Sequence, residues 1–216
     1  MSRPKSKKAN TRRRQRQSRE QKPEDETCHF TDGTLNEDFL LEAIKLPSGK
    51  LLNEWLAFYV QDLFKHVNKA CGVLTPYCTP QTCPKMTAGP KFQWVWSDET
   101  GVCEVSAPQY TNAILTWLQI QFDDDELFPN KLGPSFPADF HEQVKLMMYK
   151  MFILYAHIYH HHFTDMQIMD AEAHLNTSFK YFIYFSREYS LIADDDFKPL
   201  KELIRAVFAK GEGAKI

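Results

Sequence analysis

The chain has 216 residues, 43% hydrophobic and 13% aromatic, with a formal net charge of −2, which is ample material for one sizeable core. No uncharged apolar run approaches the roughly 20 residues of a membrane-spanning helix, and the basic, polar N-terminus excludes a secretory signal. Five cysteines without such a signal point to a reducing compartment, cytoplasmic or nuclear.

The small net charge hides an asymmetry. Residues 1–22 hold ten Lys or Arg against one acid, Glu20, a net of +9 that leaves −11 on the remaining 194 residues. Residues 1–26 therefore read as a basic, disordered tail and residues 27–216 as the globular domain. Such a tail suits a nuclear localisation signal, a nucleic-acid contact or an anionic-membrane contact, or simply a solvated arm attracted to its own acidic body.

After the polar linker 23–33, Leu35 to Lys45 has the spacing of a short amphipathic helix, stopped by Pro47-Ser48-Gly49. Asn53 is placed to cap the next helix, which runs to about Ala70. That helix has Trp55, Phe58, Tyr59, Leu63 and Val67 on its apolar face, with Glu54, Gln61, Asp62 and Lys65 outward. Prolines 76, 80, 84 and 90 break residues 71–104, where FQWVW (92–96) and VCEV (102–105) form one small β-hairpin. A helix follows Ser106-Ala107-Pro108. An acidic run, Asp123 to Glu126, and a Pro-rich loop then lead to the segment 139–163, apolar on almost every side from Val144 to Tyr159. A helix of that kind belongs at the centre of a domain. Helices from about Ala171 to Ser190 and from Asp196 to Ala209 close the chain. The expected fold is mainly α, a helical bundle around this long central helix.

Cys78 and Cys83 in the Pro-rich loop, with His157 and either His161 or His162 at the end of the central helix, supply the donors of a closed tetrahedral zinc site. Helical geometry favours His157 with His161, four apart on one face. His162 requires a widened or frayed helix end. No carboxylate lies between these histidines, so the ion reads as structural. A zinc hydrolase would need an open position with Glu142 or Glu172 as base. Cys28, Cys71 and Cys103 read as inert buried thiols, and Glu172 and His174 as a helix-start carboxylate and a core histidine.

Six stretches taken together resemble the MOB (Mps-one-binder) family of kinase regulators, nearer its NDR/LATS coactivator branches than the phocein-like branch. They are LNEWLAFYVQDLF (52–64), YCTPQTCPKMTAGPKFQW (77–94), SAPQY (106–110), LFPNKLGPSFPADF (127–140), YAHIYHHHF (155–163) and EAHLNTSFKYFIYFSREYSLI (172–192). The resemblance implies a zinc-stapled helical bundle without enzymatic activity that binds the basic N-terminal regulatory segment of an NDR/LATS-type AGC kinase. It puts the zinc ligands on Cys78, Cys83, His157 and His162, against the helical preference for His161, and the kinase face on Glu54, Trp55, Phe58 and Asp62. Lys50 replaces an acid of the coactivator branch just before that face. The branch's three-base phosphothreonine pocket falls on Tyr149, Lys150 and Ile153, where one base survives. Binding of a phosphorylated Hippo-type upstream kinase is therefore not expected, and a competitor or scaffold role becomes the alternative. Thr34 matches a regulatory phosphorylation position of the family.

Overall fold

The computed structural model describes residues 37–98, 101–129 and 135–212. The basic tail, Cys28 and Thr34 lie outside them. Among the described residues, seven α-helices are arranged as α1 (Glu37–Ile44), α2 (Leu52–Val73), α3 (Ala107–Phe122), α4 (Phe140–His161), α5 (Phe163–Ile168), α6 (Glu172–Glu188) and α7 (Lys201–Glu212). Four short strands, β1 (Met86–Ala88), β2 (Phe92–Trp94), β3 (Trp96–Asp98) and β4 (Gly101–Cys103), separate α2 from α3.

The centre is α4, as its composition requires. Phe140, Val144, Met147 and Met148 are buried, and so is every residue from Met151 to Ile158. An unbroken buried run of that length leaves the second half of the helix no solvent face, so α2, α3, α6 and β1 must surround it. The ring of Tyr155, wholly buried, contacts Phe179 and Phe182 of α6, and its hydroxyl donates to Ser178 Oγ at 2.9 Å. No described helix is long and apolar enough to cross a membrane.

Helix α1 is only two turns long and is held by aromatic donors from its neighbours. The carbonyl of Ile44 accepts both the Trp55 indole N–H, at 3.0 Å, and the Tyr189 hydroxyl, at 2.7 Å. The carbonyl of Ala43 accepts the Tyr59 hydroxyl. The orphan carbonyls at the end of a short helix are thus satisfied from α2 and α6, and that fixes α1 against both.

Two local expectations change. Helix α2 begins at Leu52 and the cap position is Leu51, with no side-chain cap, so Asn53 lies inside the first turn and does not cap it. The strand region is two hairpins rather than one. Gly89, at φ +62°, turns the chain so that Phe92–Trp94 pairs back with Met86–Ala88, while Trp96–Asp98 pairs with Gly101–Cys103. Val95, between them, belongs to neither strand. At the start of α3, the Ser106 backbone N–H donates to Gln109 Oε1 at 3.0 Å and its hydroxyl to the same oxygen at 2.8 Å.

Candidate metal centre and docking face

The loop after α2 folds by consecutive tight turns. The Leu74 carbonyl accepts the N–H of Tyr77 and of Cys78, each at 2.9 Å, and Cys83 N–H donates to the Thr79 carbonyl at 2.8 Å. Thr79 and Thr82 exchange backbone-to-hydroxyl bonds of 2.9 and 3.2 Å across the turn, so the five-residue Cys spacing closes on itself. Both thiols then face the end of α4. Cys78 Sγ is 3.5 Å from His157 Nε2, Cys83 Sγ is 3.4 Å from His162 Nε2, and the four donor atoms lie within 4.8 Å of one another. That is close enough to hold one metal ion.

The imidazoles are oriented for the task. His157 Nδ1–H donates to the Thr87 carbonyl of β1 at 2.8 Å, and His162 Nδ1–H to Asp165 Oδ2 at 2.9 Å, so both Nε2 lone pairs point inward. Both rings are only 3% exposed, and burial pushes the His157 pKa down to about 4, the neutral form that a ligand needs. Burial, with the neighbouring Cys83 as a lesser cause, pushes the Cys78 thiol up to about 12. Two adjacent thiolates are favourable only with a cation between them, which the donor set provides for.

His162 enters the cluster because the helix ends there. His161 is the last helical residue, and His162 takes φ −130° and ψ 12°, which turns a five-residue separation inward. His161 keeps the position that helical geometry gives it, with ring centroid 4.8 Å from that of His157. Its Nε2, however, is engaged with the Thr87 hydroxyl at 2.9 Å on the exposed side. His160 is also exposed, with Nε2 donating to the Pro199 carbonyl at 2.8 Å. Glu142 opens α4 while His157 lies fifteen residues on, about 22 Å along the helix at 1.5 Å per residue, so Glu142 cannot serve the ion.

Asp165 is the site residue that sequence reading passed over. Its position three residues after His162 is the one available signal. Asp165→Ala should leave the fold in place and weaken metal affinity about 10–100-fold, as read by competition with a chelator. An unchanged affinity would show that the carboxylate does not orient His162.

The second candidate surface lies on α2. Glu54, Phe58 and Asp62 succeed one another at four-residue spacing and share one stripe. Glu54 and Phe58 are exposed, Phe58 at 63%, and Asp62 is half-buried with Lys65 3.9 Å away. Trp55 differs: it is half-buried and its indole N–H is engaged by Ile44, so it anchors α1 while its ring stacks 6.4 Å from Phe58. Lys50 is exposed in the turn just before the helix. Further along α2, an apolar groove of about 650 Å³ opens between α1, α2 and α6, lined by Phe39, Leu40, Ala43, Ala70, Val73 and Tyr181. Phe39 at its rim is 64% exposed. The sequence pattern did not reveal this groove.

On α4, Ile153 is buried at 2% and Tyr149 accepts the Trp94 indole N–H at 3.2 Å. Lys150 sits between two indoles, 5.3 Å from the Trp96 ring centroid and 5.2 Å from that of Trp117. Burial lowers its pKa. One half-buried ammonium clasped by aromatic faces is all the positive charge these three positions offer.

Residues 32–200 match the model of the Mob1/phocein family. The chain is 47% identical over 181 residues to a MOB kinase activator-like 1B of Arabidopsis thaliana, covering 82% of this chain and 84% of that protein. It is 44% identical over 179 residues to a MOB kinase activator-like 1B of Medicago sativa subsp. falcata, covering 82% and 83%. With a MOB kinase activator-like 1 homolog A of Dictyostelium discoideum it shares 43% over 181 residues, covering 82% and 85%.

Proposed function

The chain belongs to the Mob1/phocein family, and from that premise we propose that it is a non-catalytic adaptor that binds the basic N-terminal regulatory segment of an NDR/LATS-type kinase and shifts that kinase between states. The observation that carries this reading is the Glu54–Phe58–Asp62 stripe, with Glu54 and Phe58 exposed and Asp62 half-buried, running toward the apolar groove between α1, α2 and α6. An amphipathic basic helix would lay its apolar side on Phe58 and in the groove and pair its bases with the two acids. Lys50, at the start of the stripe, repels a base there and so selects among partners. Docking orders the kinase segment and biases its conformation, a population shift rather than a reaction.

The ion is zinc in a structural role. Two thiolates and two imidazoles suit it, and four protein donors leave no position for a substrate. Cys78 and Cys83 would hold the loop, and His157 and His162 would tie it to α4. Thiolates that must stay reduced fit the cytoplasm or nucleus.

Phosphate recognition needs an Arg or Lys cluster, and Tyr149, Lys150 and Ile153 do not supply one. That favours a second reading, in which the protein competes with or scaffolds beside kinase activators that do receive a phosphothreonine input.

Calorimetry of the full chain against basic N-terminal segments of NDR- and LATS-type kinases, with a phosphothreonine peptide as a separate titrant, tests both. The expected result is saturable binding of a kinase segment and no heat from the phosphopeptide. Absence of segment binding overturns the adaptor assignment, and phosphopeptide binding overturns the degenerate pocket.

A further inference from the structure

Helix α2 does not keep one sign of charge along its docking stripe. After Glu54, Phe58 and Asp62 the same face continues with His66, Lys69 and Val73 at three- and four-residue spacing, and all three are exposed. Lys65 stands in this half too and lies 3.9 Å from Asp62. The face therefore changes sign between Asp62 and Lys69, seven residues or about 10 Å along the helix at 1.5 Å per residue.

The basic half of the stripe opens into the groove between α1, α2 and α6. His66 and Lys69 line that groove, and α6 adds a third nitrogen donor, the exposed His174. Leu40, Met166 and Leu175 are the buried part of its lining. Among the described residues no carboxylate lines the groove, and the side chains of His66, Lys69 and His174 have no ion pair or hydrogen bond. Aromatic rings join the groove to the exposed face. Phe58 meets Tyr59 edge-on at 5.3 Å, and Tyr59 meets Tyr181, in the groove wall, at 5.5 Å. One partner segment can thus lie across both halves.

We propose that His66 and Lys69, with His174 opposite, are specificity-determining residues, and that the groove takes a stretch of the docked segment carrying Asp or Glu beside large apolar side chains. That stretch lies about two helical turns from the one whose bases meet Glu54 and Asp62. The inference rests on the docking-face reading above. A segment basic along its whole length would enter the groove only by bringing its own charges toward Lys69, beside apolar walls where salt screens less. An acidic stretch makes the same contact attractive. It also fixes the direction of the segment, because the reversed direction sets like charges against each other at both ends.

Three synthetic helical peptides test this by calorimetry on the full chain. All share a first half of Arg and Leu; the second half combines Leu and Phe with Glu in one peptide, Gln in another and Lys in the third. The Glu peptide should bind about fivefold tighter than the Gln peptide, the size of one partly exposed charge pair, and the Lys peptide more weakly than both. Lys69→Glu, at an exposed position, should invert that order, a result that loss of fold cannot imitate, and His66→Glu should shift it the same way. Equal affinity for the three peptides, or an order that Lys69→Glu leaves in place, overturns the proposal while the docking face stands. If none of the three binds, or if Glu54→Lys with Asp62→Lys leaves their binding unchanged, the docking-face reading fails and this inference with it. Affinity for all three that rises when Glu24, Asp25 and Glu26 are each changed to Gln would give the groove to the chain's own acidic segment before α1 and overturn its occupancy by a partner.

Discussion

Cys83→Ala should abolish stoichiometric metal binding and lower the melting temperature by about 10 °C or more, the size expected when several kcal/mol are lost from a domain of this length. Cys83 is 6% exposed, its sulfur faces His162, and its carbonyl accepts the Ala107 N–H at 3.0 Å at the start of α3. A metal held by the four donors would therefore link the loop, the end of α4 and the start of α3 at one point. Without it, the loop keeps its own turns and the Cys83–Ala107 backbone bond, and β1 is tied to α4 through the Thr87 contacts with His157 and His161. Cys103→Ala, at a half-buried thiol outside the donor cluster, is the control and should melt close to the unaltered chain. Scanning calorimetry with metal analysis reads both. A Cys83→Ala protein that kept one metal equivalent and its melting temperature would remove the site from the account.

Acid should act in the same direction. Burial lowers the His157 pKa from about 6.5 to about 4, so the folded protein binds fewer protons there than the unfolded chain. The contribution is fully present above the unfolded value and declines as pH falls from about 6.5 toward 4. Protonation of His157 and of the thiolates would also expel a bound ion, so metal occupancy and stability should fall together on acidification.

Helix α4 was legible because a stretch apolar on every side has only one place to go. The four donors were legible as residue types, but their selection was not. Periodicity gives His157 and His161, while the actual geometry depends on where α4 stops, and resemblance rather than helical spacing pointed to His162. Trp55 appears on the same apolar face as Phe58 in sequence. Only the tertiary fold separates them, by bringing the Ile44 carbonyl to one indole and nothing comparable to the other ring. The groove between α1, α2 and α6 arises from elements distant in sequence and leaves no local pattern. The split into two hairpins was missed because pairing of the 92–94 strand with residues 86–88 depends on the turn at Gly89.

Phe58→Ala should weaken binding of the basic kinase segment by about 30-fold or more, the roughly 2 kcal/mol of an aromatic hot spot, while leaving the melting temperature nearly unchanged. The two expectations follow from the same fact. The ring is 63% exposed, and its ring contacts among the described residues are with Trp55 at 6.4 Å and Tyr59 edge-on at 5.3 Å, so its removal opens no cavity in the core. A large ring left in water on a helix face is free to be buried by a partner, and here it lies between two acids one helical turn away on either side. Phe58→Leu should recover most of the affinity, because the contact is apolar area rather than a specific ring geometry. Glu54→Lys with Asp62→Lys should fail differently. Association slows, and the loss shrinks as salt rises, since those groups act by screened charge. Binding insensitive to Phe58→Ala but abolished by the double charge reversal would reduce the face to electrostatic attraction. Binding insensitive to both would move the partner to another surface. Loss of binding together with a lowered melting temperature in Phe58→Ala would mean the ring belongs to the core, contrary to its exposure.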